Sequence, residues 1–258
     1  MSLLKNGTQE AGNGDGNSPV VSIVASVLNE GGNIRPLCQE IAAVLEQLPP
    51  AEVIFVDDGS TDATVPELEA VRRDGILPGL RILSHNMVCG KSAGLRTGVN
   101  AARGKWVILL DGDGQDDPAD FIPMLELART AKGRAPLVVG VRTKRQDTLS
   151  RRLASRFANR LRNRLLNDGC PDTGASLKAF RREDFLSLPQ FEGLHRFLPS
   201  LMGGQGVPLV CVPVHHRNRL HGSSKYTNFN RAIVGIRDIL GVMWLNNRAR
   251  IPKRVIER

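Results

Sequence analysis

Five short runs dominated by β-branched and other apolar residues, Val20–Leu28, Glu52–Val56, Leu80–Ser84, Trp106–Leu110 and Leu137–Val141, punctuate the first half of this chain. Each of the first four is followed by a segment with helical periodicity: Ile34–Leu48, ended by Pro49-Pro50, then Ala63–Arg73, Lys91–Ala102 and Asp120–Lys132. Val20–Leu28, nearly all apolar, suits a strand buried on both faces. Strand–helix alternation at this spacing predicts an α/β fold with a doubly wound, mostly parallel sheet flanked by helices. Such sheets bind ligands beyond the carboxyl ends of their strands, so the residues that follow each run are the ones to read for chemistry.

The organisation outside those units is simpler. Residues 1–18 are rich in Gly, Asn, Asp and Ser and read as a disordered tail. One catalytic domain is expected over 19–227. After residue 142 the pattern shifts to a basic helical stretch, Thr148–Leu166, two further strands, Leu177–Arg181 and Val207–His216, and a polar loop, His221–Thr227. Residues 228–258 form an amphipathic, basic segment, with a helix expected over Asn230–Leu245, that packs on the domain or on a membrane surface. Its Ala232–Leu245 run is interrupted by Arg237 and Asp238 and is too short to span a bilayer.

Charge is distributed unevenly. Residues 1–140 carry 12 basic and 18 acidic side chains, and residues 141–258 carry 23 and 8. An acidic half able to hold a cation, joined to a basic half able to hold phosphate, suits an enzyme of phosphorylated substrates. Aromatic residues make up only 4% of the chain, which leaves little for base-stacking platforms, and no nucleic-acid partner is expected. A non-enzymatic phosphate or nucleic-acid binder, resting on the basic half, is the rival from another class. Cys38, Cys89, Cys170 and Cys211 show no C-x-x-C spacing, so the sequence signals neither a zinc site nor a disulfide framework. The first 19 residues lack the blocks of a signal peptide, and a reducing compartment is the default.

Acidic residues crowd the strand ends. Asp111-Gly112-Asp113-Gly114-Gln115-Asp116-Asp117-Pro118 follows Trp106–Leu110, and the carboxylates of Asp111 and Asp113 with the Gln115 amide oxygen suit a divalent ion of the Mg²⁺ or Mn²⁺ kind. The same residues also suit a solvated turn that caps the helix from Asp120. Asp57-Asp58-Gly59-Ser60-Thr61-Asp62 follows the second strand and offers acceptors for a nucleobase or ribose, or a cap for the next helix. Asn29-Glu30 follows the first strand. Gly90-Lys91-Ser92 is not a phosphate-binding P-loop, because His85 stands where its first glycine belongs, but Lys91 at a helix start is a candidate anion contact. His215 and His216 are adjacent on a predicted strand, point to opposite faces and are not read as ligands of one ion, and neither is His221.

Together with Asp172-Thr-Gly174, Phe180-Arg181-Arg182, His195-Arg196-Phe197-Leu198-Pro199 and the run His216–Tyr226, these motifs resemble the inverting family-2 glycosyltransferases, and within them the polyprenyl-phosphate glycosyltransferases. The likeness runs from about residue 20 to 245. It implies a GT-A-type fold, a nucleotide-sugar donor carrying uridine or guanosine diphosphate, and a polyprenyl-phosphate acceptor. Glu30, Asp57 and Asp58 are then expected at the nucleoside, Asp111, Asp113 and Gln115 around the metal, and Lys91, Arg219, Ser223 and Lys225 near the phosphates. Arg142 is the expected holder of the acceptor phosphate, with Arg145, Arg151, Arg152 and Arg156 as further candidates, and Asp172 lines the acceptor pocket or acts as base toward a hydroxyl. Ser26 and Leu28 depart from the family pattern, which has Pro and an aromatic there, and Gly114 replaces a common Leu. Membrane attachment is expected to be peripheral, on the inner face at the cytoplasmic side, or through an integral-membrane partner. A saccharide or other hydroxyl acceptor in cell-envelope glycan synthesis is the alternative within the same fold.

Overall fold

The computed structural model describes residues 18–142, 162–217 and 228–248, with the side chains of 228–234 excepted. The expected tail, the polar loop 221–227, most of Thr148–Leu166, Arg219, Ser223, Lys225, Arg145, Arg151, Arg152 and Arg156 lie outside the described residues.

Seven strands form one sheet: β1 (Val21–Val27), β2 (Ala51–Asp57), β3 (Arg81–Ser84), β4 (Trp106–Asp111), β5 (Leu137–Arg142), β6 (Lys178–Arg181) and β7 (Leu209–Val214). Their spatial order is β3-β2-β1-β4-β6-β5-β7. Every pairing is parallel except those of β6, which runs against both β4 and β5. Four helices connect the first five strands: α1 (Gly31–Leu45), α2 (Thr64–Arg73), α3 (Lys91–Ala101) and α4 (Phe121–Thr130).

The near-uniform apolarity of β1, broken only by Ser22 and Ser26, has a direct cause, since consecutive residues enter different cores. Ile23 and Ala25 pack with Ile34, Phe55, Leu68 and Phe121 under α1, α2 and α4, while Val24 packs with Val56, Leu95, Val99 and Leu109 under α3. Burying a large aliphatic side chain this completely contributes roughly 1.5–3 kcal/mol each, so the two layers fix the sheet between them. α3 approaches β1 very closely: a Cβ on Gly94 would stand 2.1 Å from Ser26 Oγ, and one on Gly98 would stand 2.4 Å from a Val24 methyl. Ser26 is therefore committed to the contact with α3.

Helix boundaries moved where polar residues hide the periodicity. α1 begins at Gly31, three residues ahead of the first apolar position, because its start is fixed from outside: Asp62 Oδ2 accepts from Gly31 N–H at 3.2 Å. α4 begins at Phe121 after a 3₁₀ turn, Pro118–Asp120, which Asp117 caps by accepting from Ala119 N–H at 3.0 Å. Asp117 is thus a capping residue, as the plainer reading of the acidic run allows.

The C-terminal helix, Asn228–Arg248, extends past both expected ends. Val242 is buried and Ile239, Met243 and Leu245 are partly buried against the α3-side core. Arg196 donates to Asp238 at 2.8 Å and Asn246 donates to Ser200 Oγ at 2.9 Å on the same side. The opposite stripe, Ile236, Leu240 and Trp244, is 55%, 58% and 60% exposed, so the helix packs on the domain by one face and presents a second apolar face outward. Among the described residues no helix is long and apolar enough to cross a membrane.

Candidate active site

The register sets the chemistry at one edge. Asp57 pairs with Val27 and with Ser84, and Ser26 pairs with Asp111, so the carboxyl ends of β3, β2, β1 and β4 finish level with one another.

At the β2 end, Asp57 and Asp58 are both buried. Asp57 accepts from Ser60 N–H at 3.1 Å and shapes the turn after the strand. Asp58 reaches the other way. Its Oδ2 accepts from Gly90 N–H at 2.7 Å, and its Oδ1 accepts from Cys89 N–H at 3.0 Å and lies 2.7 Å from His85 Nδ1. The loop between β3 and α3 is therefore built on one carboxylate. Glu30 sits beside this turn, its backbone N–H donating to Thr64 Oγ1 at 2.8 Å and its Oε2 accepting from Asn33 Nδ2 at 2.7 Å. Asp62, which braces the starts of α1 and α2, is raised by burial but brought net below the usual carboxylate range by the hydrogen bonds it accepts, chiefly from Thr64.

Gly90 and Lys91 join the two acidic groups. While Gly90 N–H holds Asp58, the Lys91 ammonium, at the first turn of α3, pairs with Asp111 Oδ1 at the end of β4. Asp58 and Asp111 are thus bridged by two consecutive residues and open onto the same edge.

Beyond Lys91 and Asp111 lie two further carboxylates, Asp113 and Asp116. Asp113 is buried and its Oδ1 accepts from Gln115 N–H at 3.2 Å. Asp116 is buried and accepts from Asp111 N–H at 3.2 Å and Ser176 Oγ at 2.5 Å. Burial and then the charge of Asp111 push Asp116 up to about 6. Burial acts on Asp111 as well, but Lys91 outweighs it and holds that carboxyl below its ordinary value. On the far side, Lys178 on β6 is buried and donates to Ala175 O, and burial followed by the charge of Lys91 brings it down to about 8. Burial, then Lys91 and Lys178, push the His195 imidazole well below its ordinary value; its Nδ1 lies 2.8 Å from Ser92 Oγ.

The donor atoms here are all oxygens, which fits a hard divalent cation. The described Asp, Glu, His and Cys side chains that do converge as a trio lie elsewhere, at Asp58, His85 and Cys89. Carboxylate and amide oxygens are the ligands a Mg²⁺-type ion takes when substrate phosphates complete its shell. Gln115 donates its Nε2–H to Arg217 O at 3.1 Å, and Arg217 N–H returns a bond to Gln115 O at 2.9 Å.

Arg142, at the end of β5, donates from Nε and Nη2 to the two oxygens of Asp172 at 2.7 and 2.8 Å. A carboxylate gripped by both prongs of a guanidinium is a poor proton acceptor, so Asp172 orients Arg142. His216 connects this pair to the acidic cluster: it forms a bridge with Asp116 across the chain, its Nδ1 lies 3.9 Å from Asp116 Oδ1, and burial, then Arg142, lower its pKa while Asp113, Asp172 and Asp111 oppose that. His215 faces away, exposed, with Nδ1 3.0 Å from Asp120 Oδ1. The expected Asp58, Asp111, Asp113, Lys91, Arg142 and Asp172 therefore gather along one edge. Asp116, Ser176, Lys178, His195 and His216 join them without having been singled out as site residues; a lysine inside the apolar run Leu177–Arg181 was the visible signal for one of them.

The Glycosyl transferase family 2 profile matches residues 22–188. The chain belongs to this glycosyltransferase family. The dodecaprenyl-phosphate galacturonate synthase of Rhizobium johnstonii is 36% identical over 239 residues, covering 88% of this chain and 69% of that protein. The undecaprenyl-phosphate 4-deoxy-4-formamido-L-arabinose transferase of Pseudomonas aeruginosa is 33% identical over 210 residues, covering 81% of this chain and 60% of that protein. Several of the relatives that this family-2 chain matches are thus longer than the matched region by more than a third of their own length. Glucosyl-3-phosphoglycerate synthase from Mycobacterium tuberculosis, solved with Mn²⁺, UDP and glucosyl-3-phosphoglycerate, superposes with a TM-score of 0.62 at 23% identity, covering 88% of this chain and 80% of that one. That likeness confirms the GT-A-type fold of the sheet and its flanking helices.

Proposed function

We propose that this family-2 glycosyltransferase moves a sugar from a nucleotide-sugar donor to a polyprenyl phosphate with inversion at the anomeric carbon. The observation that carries the reading is the continuous edge in which Gly90 and Lys91 tie Asp58 to Asp111, with the Arg142–Asp172 pair at the far end beyond Asp113. Asp58 and Glu30 serve the nucleoside end, Lys91 the diphosphate, and Arg142 the acceptor. The two named lipid-phosphate transferases among its relatives support the acceptor class.

In the reaction the acceptor phosphate oxygen forms a bond to the anomeric carbon as the bond from that carbon to the donor's diphosphate oxygen breaks, and the nucleoside diphosphate leaves with the electron pair. The acceptor oxygen is already anionic near neutral pH, so no strong base is needed to deprotonate it. Commitment of Asp172 to Arg142 favours this over a hydroxyl acceptor, which requires one. Arg142, fixed by two hydrogen bonds, presents a planar cation to the acceptor phosphate. Asp111, Asp113 and Gln115 would hold Mg²⁺ or Mn²⁺, which supplies neutralisation of charge developing on the leaving diphosphate.

The exposed Ile236, Leu240 and Trp244 stripe, with the Arg248 guanidinium 5.8 Å from the Trp244 ring centre, lies next to Arg250, Lys253 and Arg254 in sequence and suits peripheral binding to an anionic lipid surface. The test is transfer from UDP- and GDP-sugars to a short polyprenyl phosphate and, separately, to oligosaccharides, with and without Mn²⁺. Metal-dependent transfer to the lipid phosphate alone is expected. Transfer to a saccharide hydroxyl with none to the lipid phosphate would overturn the acceptor assignment.

A further inference from the structure

We propose that Asp58, His85 and Cys89 form a binding site for a soft divalent cation of the zinc type, separate from the oxygen-lined edge at Asp111 and Asp113. One ligand atom from each residue lies within 4.8 Å of the other two. Zinc bonds of about 2.0–2.3 Å place tetrahedral ligands about 3.3–3.8 Å apart, so closing the trio on an ion takes small side-chain movements only. His85 Nδ1 and Asp58 Oδ1, now 2.7 Å apart, separate slightly when a cation enters between them.

The surroundings suit that role. Asp58 already accepts from Cys89 N–H and Gly90 N–H, and a carboxylate has about four lone-pair positions, so these bonds survive as a further one turns to a metal. His85 Nε2 lies 2.9 Å from Thr97 Oγ1, the outer hydrogen bond by which metal-bound imidazoles are oriented. Cys89 is exposed, and its thiol makes a long contact of 3.4 Å to Met87 O that is easily given up. On binding, the thiol proton passes to solvent, the sulfur binds as thiolate, and the open side supplies the fourth position. The three ligands come from the end of β2, the residue after β3 and the approach to α3. Scanning cysteine spacing cannot find such a site, because it holds one cysteine and its partners lie 4 and 31 residues away.

The cation would clamp the loop that delivers Lys91 to Asp111. Asp58 also serves the nucleoside in the proposed function, so the site is tested through His85 and Cys89. Metal-stripped full-length protein is titrated with Co²⁺ as a spectroscopic probe and then with Zn²⁺. One equivalent of Co²⁺ is expected to give a thiolate-to-cobalt charge-transfer band with intense visible bands of tetrahedral coordination, both abolished by Zn²⁺. Cys89→Ser removes the charge-transfer band, and His85→Gln and Thr97→Val each weaken binding by about tenfold or more. Cys211→Ser, at another exposed cysteine, and Asp113→Asn leave the band in place, the latter separating this site from the proposed donor metal. Circular dichroism of Cys89→Ser is expected to match the parent, since the side chain is exposed. Absence of a charge-transfer band, or a band that persists in folded Cys89→Ser, overturns the proposal.

Discussion

The two acidic ends of the edge are built on opposite principles. Asp58 is satisfied from within: two backbone N–H groups and an imidazole meet one carboxylate, and the loop between β3 and α3 takes its shape from it. At the Asp111–Asp113–Asp116 end charges crowd one another: burial and then the charge of Asp111 raise Asp116 to about 6, and burial and then Lys91 bring the nearby Lys178 down to about 8. One end is held by hydrogen bonds of the fold. The other keeps a raised carboxyl and a lowered ammonium near one another, and functional sites are where such electrostatic cost is retained.

Substitutions at the two ends therefore have opposite signatures. The largest effect is expected for Asp113→Asn, which leaves the melting temperature nearly unchanged but lowers transfer by about a thousandfold or more, roughly 4 kcal/mol of transition-state stabilisation, in a metal-saturated assay. Asp58→Ala is expected to do the reverse first. It strands the N–H groups of Cys89 and Gly90 and lowers the unfolding free energy by about 2–4 kcal/mol in denaturant titration, with weaker nucleotide binding as a consequence. If Asp58→Ala melted like the parent, the contrast between the ends would collapse.

A pH titration of stability sharpens the same contrast. Unfolded Asp116 releases its proton near 3.8, whereas in the fold it keeps it up to about 6, so between those values the native state binds more protons and loses stability as pH rises. Asp116→Asn is expected to remove that part of the slope, on the order of 2 kcal/mol, as read from unfolding midpoints at pH 4 and pH 7. The smallest effect belongs to a control remote from both ends: Trp244→Ser changes stability by no more than about 0.5 kcal/mol, as exposed positions do, while reducing sedimentation with anionic vesicles.

The local parts of this architecture were legible in the chain. β1 alternates between two cores and is apolar but for Ser22 and Ser26, so its residues announced a strand buried on both faces, and Asp111-x-Asp113 announced an acidic end to β4. What escaped was whatever depends on pairing distant segments. Asp58 reads as an acidic strand end, and only the β2–β3 crossover shows that His85, Cys89 and Gly90 are built onto it. Arg142 and Asp172 are each plausible alone as phosphate holder and base, and only their pairing shows that one orients the other. Lys178 and Ser176 enter the site because β6 inserts antiparallel between β4 and β5, an order that strand–helix alternation does not dictate.

The most direct test is the metal dependence of nucleotide binding, measured by calorimetric titration of UDP and GDP into the parent protein and Asp113→Asn, each with and without Mn²⁺. Mn²⁺ is expected to tighten binding of one nucleoside diphosphate by at least about tenfold, roughly 1.4 kcal/mol, in the parent, and that gain disappears in Asp113→Asn. Equal affinity with and without Mn²⁺ in the parent, or a gain that persists in the variant, would contradict a cation held between Asp113 and the donor's diphosphate.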